Sequence, residues 1–218
     1  LDFTPTQRVT YQDVKADIAN DPSLVITGEK TVQESTAYAL FGQANYDVVE
    51  DIELTVALSY DSEERDAFDK RDPSASKVNE TFSELQPKAS IAWQISDDHL
   101  LYSTYSKGFR SGGFNEYAPS VIRKYDQEIS DTVELGLKTT WLDGKVWVNM
   151  SLFHIDQQDA QFTRLNPTTF TLENLNIDEV AIDGFELEMS ATLTDYLTVN
   201  FGLGLIDSEI TKNQGVDI

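Results

Sequence analysis

The chain has 218 residues, 38 of them acidic against 16 basic, no cysteine, and a formal net charge of -22. The length allows a sizeable core or one large sheet, the charge excludes the basic footprint of a nucleic-acid binder, and the absence of cysteine excludes disulfides, thiolate metal sites and cysteine nucleophiles. No apolar run approaches the ~20 residues of a membrane-spanning helix, a criterion that strands alternating lipid-facing and lumen-facing residues would escape.

Residues 1–30 are weakly patterned and read as a loop or irregular lead-in, with Asn20-Asp21-Pro22 stopping any helical turn begun near Asp13. From Thr31 the period is two. After a short polar turn at Glu50-Asp51, Ile52, Leu54, Val56, Leu58 and Tyr60 alternate with Glu53, Thr55, Ala57, Ser59 and Asp61, which predicts a half-buried strand. Residues 61–80 read as a long charged loop. Ala89, Ile91, Trp93 and Ile95 mark the next strand, and a tight turn at Ser96-Asp97-Asp98 leads into Leu100–Ser106, which breaks into a glycine-rich loop running to about Tyr125. Val133, Leu135 and Leu137 then alternate with Glu134, Gly136 and Lys138, and Asp143-Gly144 is a strong hairpin signal. Val146, Val148, Met150 and Leu152 follow, then a loop containing Asn166-Pro167. Phe185, Leu187 and Met189 alternate with Glu186, Glu188 and Ser190. Beyond a turn at Thr194-Asp195, Val199, Phe201, Leu203 and Leu205 alternate with Thr198, Asn200, Gly202 and Gly204.

The connections alternate too. Those near Asp51, Asp97, Asp143 and Asp195 are short; those after Asp61, Lys107 and Asp156 are long. Trp93, Trp141 and Tyr196 fall near the tight-turn end, where an interfacial girdle would sit. Alternation by itself leaves two architectures open: a sheet with one solvated face, or a barrel with a wet lumen and a lipid-facing exterior.

Several segments bear on that choice. The run Leu100-Leu101-Tyr102-Ser103-Thr104-Tyr105-Ser106-Lys107-Gly108-Phe109-Arg110-Ser111-Gly112-Gly113-Phe114-Asn115 closely resembles a signature of the TonB-dependent receptors, the active transporters of the bacterial outer membrane. Ala37–Gln43, Glu134–Lys138 with Trp141-Leu142-Asp143-Gly144, Leu152–Asp156 and Gly184–Glu188 resemble further barrel strands of that family, in family order, so that residues 31–210 are covered. The resemblance implies an all-β fold, an antiparallel up-and-down transmembrane β-barrel segment. It would supply about eight strands of an expected barrel of about 22. Residues 31–218 would form this segment, with short periplasmic turns and long extracellular loops. The family's plug domain and TonB box have no counterpart in these residues, and the chain is expected to be a fragment. By resemblance, the parent protein would import a scarce nutrient, such as a ferric siderophore, through the bacterial outer membrane, powered by the TonB complex through its N-terminal part. A passive porin or a surface-adhesion barrel is the alternative.

Lys107, Arg110, Arg123 and Lys124 concentrate positive charge in one loop of an acidic chain, interleaved with Phe109, Phe114, Tyr117 and Tyr125. Guanidinium groups and aromatic rings there would dock an anionic, partly aromatic ligand; the same residues also suit a purely structural strand end. Asp61, Glu63, Glu64, Asp66 and Asp69 could offer oxygens to calcium, or form a solvated loop. His99 and His154 stand apart without metal-ligand spacing. No nucleophile elbow or phosphate loop is present, and neither enzyme activity nor a cofactor is expected.

Overall fold

The computed structural model describes residues 7–10, 31–69, 77–115, 123–166 and 171–213. Every regular element among them is a strand: β1 (Gln7–Thr10), β2 (Thr31–Val49), β3 (Ile52–Asp69), β4 (Val78–Ser96), β5 (His99–Arg110), β6 (Gly113–Asn115), β7 (Arg123–Tyr125), β8 (Glu128–Trp141), β9 (Val146–Asn166), β10 (Thr171–Thr194) and β11 (Leu197–Lys212). Nine of these form one antiparallel sheet in the order β1-β2-β3-β4-β5-β8-β9-β10-β11, while β6 and β7 pair separately. Its long strands are the eight that the alternation predicts. The ninth, β1, falls within the expected lead-in and pairs with β2 through Gln7↔Ser35 to Thr10↔Val32.

The register sorts side chains onto two faces. One row across the sheet is Tyr46, Leu54, Ile91, Ser103, Leu135, Leu152, Phe185 and Leu205; the adjacent row, on the opposite face, is Asp47, Glu53, Ala92, Tyr102, Gly136, Ser151, Glu186 and Gly204. Along β3, the middle of β4 and much of β8 the apolar face is the more open one, whereas on β10 Glu186 and Glu188 are exposed and Phe185 and Leu187 half-buried. Leu135 is 48% exposed and Phe201 51% exposed, whereas Gly136 is buried and Glu134 half-buried. A water-soluble sheet hides its apolar face and exposes its polar one. The inversion resolves the two architectures left open above: the apolar side chains face outward, as in a barrel wall whose polar face lines the interior. The sheet is open, and among the described residues β2 and β11 do not pair with each other.

Four tight connections lie at one end, and three carry carbonyls bonded to the neighbouring hairpin: Asp51 accepts from the Gln94 N–H, Asp98 from Thr140 and Lys145 from Thr192, each at 2.8 Å. At Asp143-Gly144 the Lys145 N–H reaches the Leu142 carbonyl at 3.2 Å, and both central residues have positive φ, as a two-residue hairpin turn demands. Leu142 is also left-handed, at φ 56°. A branched side chain in that region is strained by roughly 1–2 kcal/mol, and asparagine tolerates it better. Leu142→Asn should therefore raise the denaturation midpoint; an unchanged or lower midpoint would show that the leucine side chain offsets its own strain.

At the other end the predicted loops are largely strand. β3 continues to Asp69, β4 begins at Val78, β9 reaches Asn166 and β10 begins at Thr171, with residues 70–76 and 167–170 outside the described set. On β3 both faces are polar from Asp61 to Asp66, so the two-residue period fades from the sequence there. Cross-strand polar pairs support the ladder instead: Asn79 donates to Glu64 (2.8 Å) and Asp66 (3.0 Å), and Arg164 Nε reaches Glu173 at 2.8 Å. One seam opens. Pairing of β4 with β5 ends at Lys88↔Ser106, beside Pro87, which has no N–H to donate.

Candidate functional site

Beyond the apolar band, the β6–β7 hairpin folds back over the polar, inner face of the sheet. The glycines of Ser111-Gly112-Gly113 permit this. A Cβ on Gly112 would collide with the Phe82 ring and the Tyr125 carbonyl, and one on Gly113 would lie 2.5 Å from the Tyr125 hydroxyl and 2.9 Å from Arg65 Nη1. The small core thus formed includes Ala67, Phe82 and Phe114, all buried, while Val32, also buried, lies on the opposite face across from Phe68.

Side-chain amides tie this hairpin to strands on either side. Gln33 on β2 donates to the Phe114 carbonyl at 3.2 Å. Asn115 donates through Nδ2 to the Asn174 carbonyl at 2.7 Å and accepts the Asn174 N–H through Oδ1 at 2.7 Å, so its amide acts as a strand partner for β10. Asn176 donates to the carbonyls of Asp126 (2.9 Å) and Asp159 (2.7 Å), and Gln161 donates to the Ser111 carbonyl at 2.8 Å. Asn115 is itself buried. Asn115→Ala should leave the Asn174 N–H and C=O without those partners, costing about 1–3 kcal/mol. The check is hydrogen exchange, which should quicken at Asn174 and at Phe114–Asn115 while the tight-turn end keeps its protection. Unchanged exchange at Asn174 would show that the clasp is not closed in solution.

The residues expected to bind ligand are distributed unevenly. Lys107 Nζ reaches Glu84 at 3.4 Å, at the seam beside Pro87. Lys124 Nζ pairs with Asp126 at 3.0 Å and Glu80 at 3.6 Å, and stands 5.9 Å from the centre of the Phe82 ring. The hydrogen bond to Asp126 holds its ammonium above the usual lysine pKa. Phe114 is buried in the hairpin core, Phe109 is half-buried, and Arg110 is exposed with no ion pair among the described residues. Tyr117 lies outside the described residues, and Arg123 is described through its backbone in β7. The amide clasp of Gln33, Asn115, Gln161, Asn174 and Asn176 has no signature in the sequence, because isolated amides far apart in the chain carry no local pattern.

The carboxylates considered for calcium divide between the faces: Asp61 and Glu63 follow the inner alternation, Glu64 and Asp66 the outer. Glu63 pairs with Arg65 at 2.9 Å and Asp66 with Lys77 at 3.2 Å. His99 packs on Trp141 with ring centres 4.7 Å apart, and His154 lies between Asp183 (2.8 Å) and Asp156 (3.3 Å). Asp159 sits in the left-handed region at φ 52°. Burial, reinforced by the Asp126 and Asp178 carboxylates, raises its carboxyl above the usual pKa range.

An open antiparallel sheet with apolar side chains outward, tight turns at one end and a hairpin folded over its inner face is the wall of a membrane-embedded β-barrel. The chain belongs to the TonB-dependent receptor family: residues 2–217 match the family described as "TonB dependent receptor-like, beta-barrel". It is 26% identical over 196 residues to the Acinetobacter baumannii protein named "Probable TonB-dependent siderophore receptor PiuA", covering 85% of this chain and 25% of the relative. It is 24% identical over 178 residues to the ferric-pyoverdine BN7/BN8 receptor of Pseudomonas putida, covering 80% and 21%. Among solved structures, the ferric yersiniabactin uptake receptor FyuA of Yersinia pestis superposes with a TM-score of 0.69 at 17% identity, over 88% of this chain and 30% of that one. The ferric-catecholate import receptor Fiu of E. coli K12 gives 0.64 at 15% identity, over 92% and 32%. The chain thus spans about a quarter of the curated relatives it matches. It is an outer-membrane barrel segment, and the family match extends into residues 2–30, beyond the 31–210 that the sequence resemblance covers.

Proposed function

We propose that the intact protein is an active transporter of the outer membrane that imports a scarce nutrient as a metal chelate, a ferric siderophore above all, with energy relayed through TonB. The observation that carries this reading is the hairpin clasped over the inner face, which narrows the mouth of the wall, in a chain whose relatives are named as siderophore receptors. On this reading the tight turns face the periplasm, the long strand extensions and their loops face outward, and residues 31–218 all belong to the barrel. A plug supplied by the rest of the protein would occupy the interior against Glu134 and Glu186. Ligand would meet the mouth through Arg110 and Phe109, with Lys107, Phe114, Tyr117, Arg123 and Lys124 shaping the surface around them.

The test is uptake of radioactive iron from ferric siderophores by cells carrying the intact protein as sole receptor, with and without TonB. Saturable uptake that disappears with TonB is expected. Uptake that survives without TonB would point to a passive porin, and a failure to take up any chelate would favour a surface-adhesion barrel.

A further inference from the structure

The charge at this mouth runs opposite to what a count of its lysines and arginines implies. Each cation of the hairpin and the flanking inner strands, Arg110 excepted among the described side chains, already holds a carboxylate. Arg65 pairs with Glu63, Lys107 with Glu84, Lys124 with Asp126 and Glu80, and Arg164 with Glu173. An ammonium paired at about 3 Å projects little field beyond its partner, and an anion approaching it must break the pair.

Other carboxylates in the same region are served by neutral donors, which leave their charge in place. Asp61 accepts from Gln86 and Ser59, and Glu128 accepts the Gln161 N–H at 2.7 Å. Asp159 lies near Asp126 and Asp178; burial first, and then those two carboxylates, raise its carboxyl, with Lys212 acting the other way. Asn176 holds the backbone carbonyls of Asp126 and Asp159, so the Asp159 carboxyl lies at the hairpin's attachment, and the Asp126 and Glu80 carboxylates share the single charge of Lys124.

We propose that the mouth admits ligands of net positive charge, so that the imported species is a cationic metal chelate rather than an anionic one. This rests on the receptor reading above and names the ligand class for that same entrance. A cationic chelate gains from the unneutralised carboxylates without breaking any ion pair. Among the described side chains, an anionic chelate would find Arg110 and otherwise cations already engaged.

The potential can be read without knowing the ligand. These 218 residues contain no cysteine, so Thr163→Cys, at an exposed β9 position 2.6 Å from Asn174 through its hydroxyl, provides a single thiol. In the intact protein, with any cysteine elsewhere replaced by serine, its rates of modification by trimethylammonioethyl and sulfonatoethyl methanethiosulfonates are compared. Both reagents form a disulfide and release methanesulfinate, so a change in the thiol's own ionisation cancels in the ratio. At low ionic strength the cationic-to-anionic ratio should exceed that of free 2-mercaptoethanol roughly tenfold, falling toward it in about 0.5 M salt. Asp126→Asn with Asp159→Asn should lower the ratio roughly threefold; asparagine keeps the left-handed backbone at position 159. A ratio at or below that of the free thiol overturns the proposal. So does a high ratio that neither salt nor the double variant moves. The measurement involves neither TonB nor uptake, so its failure leaves the receptor reading standing, and loss of TonB dependence leaves this charge result standing.

Discussion

Leu203→Arg should destabilise the protein in lipid by about 2–4 kcal/mol, while Gly202→Arg, the adjacent residue, should cost far less. Leu203 pairs with Leu187 in the apolar outer face, where a guanidinium at mid-membrane has neither water nor a counter-ion. Gly202 pairs with Glu188 on the inner face, and a Cβ there meets no atom within 4 Å. An arginine at Gly202 therefore has space and a carboxylate opposite, and it replaces the residue least suited to a strand. Denaturant unfolding of the intact protein from lipid vesicles measures both variants. Equal losses would mean that the two faces do not differ in solvent, and the barrel assignment would fail.

The second large effect concerns glycines beneath aromatic rings. The Tyr102 ring lies over Gly136, and its hydroxyl donates to Glu134 at 2.5 Å with Lys138 Nζ 5.5 Å from the ring centre. Phe153 covers Gly184 in the same manner. Any side chain at either glycine would have to displace the ring, which at Gly136 also breaks the tyrosine–glutamate hydrogen bond. Gly136→Ala and Gly184→Ala should each cost about 1–3 kcal/mol. Gly204 lies in the same inner row as Gly136 but has nothing within 4 Å, so Gly204→Ala should be neutral or slightly stabilising. Midpoints of unfolding for the three variants separate ring coverage from the general effect of losing a glycine. A Gly136→Ala protein as stable as Gly204→Ala would show that the tyrosine moves aside freely.

How far the sequence could reveal this arrangement follows from where its information is local. Between Ile52 and Tyr60, or Leu197 and Leu205, solvent changes from one face to the other, so the two-residue period is plain and each strand's existence can be read directly. Beyond Asp61 both faces are polar, and a strand through Glu63, Glu64, Arg65 and Asp66 has the composition of a charged loop. Only its pairing with β2 and β4 reveals it. The glycine-rich run was legible as a break but its direction was not. Gly112 is required because Phe82, distant in sequence, packs against it. The Asn115–Asn174 clasp joins residues 59 apart. Charge was legible as composition alone: Lys107 and Lys124 looked available for a ligand until Glu84, Glu80 and Asp126 were found beside them.

This sheet is one part of the wall of a larger closed barrel. Among the described residues, β1 covers only Val32–Ser35 of β2, and β11 has β10 on one side alone. A structure of the intact protein in a lipid bilayer tests the claim most directly, by identifying what pairs with Thr36–Val49 of β2 and with the outer edge of β11. A further strand is expected on each, with Leu203 facing lipid and Glu186 facing the interior. Direct pairing of β2 with β11 into a small closed barrel, or a second sheet packed against the Leu135–Leu152 face, would contradict it.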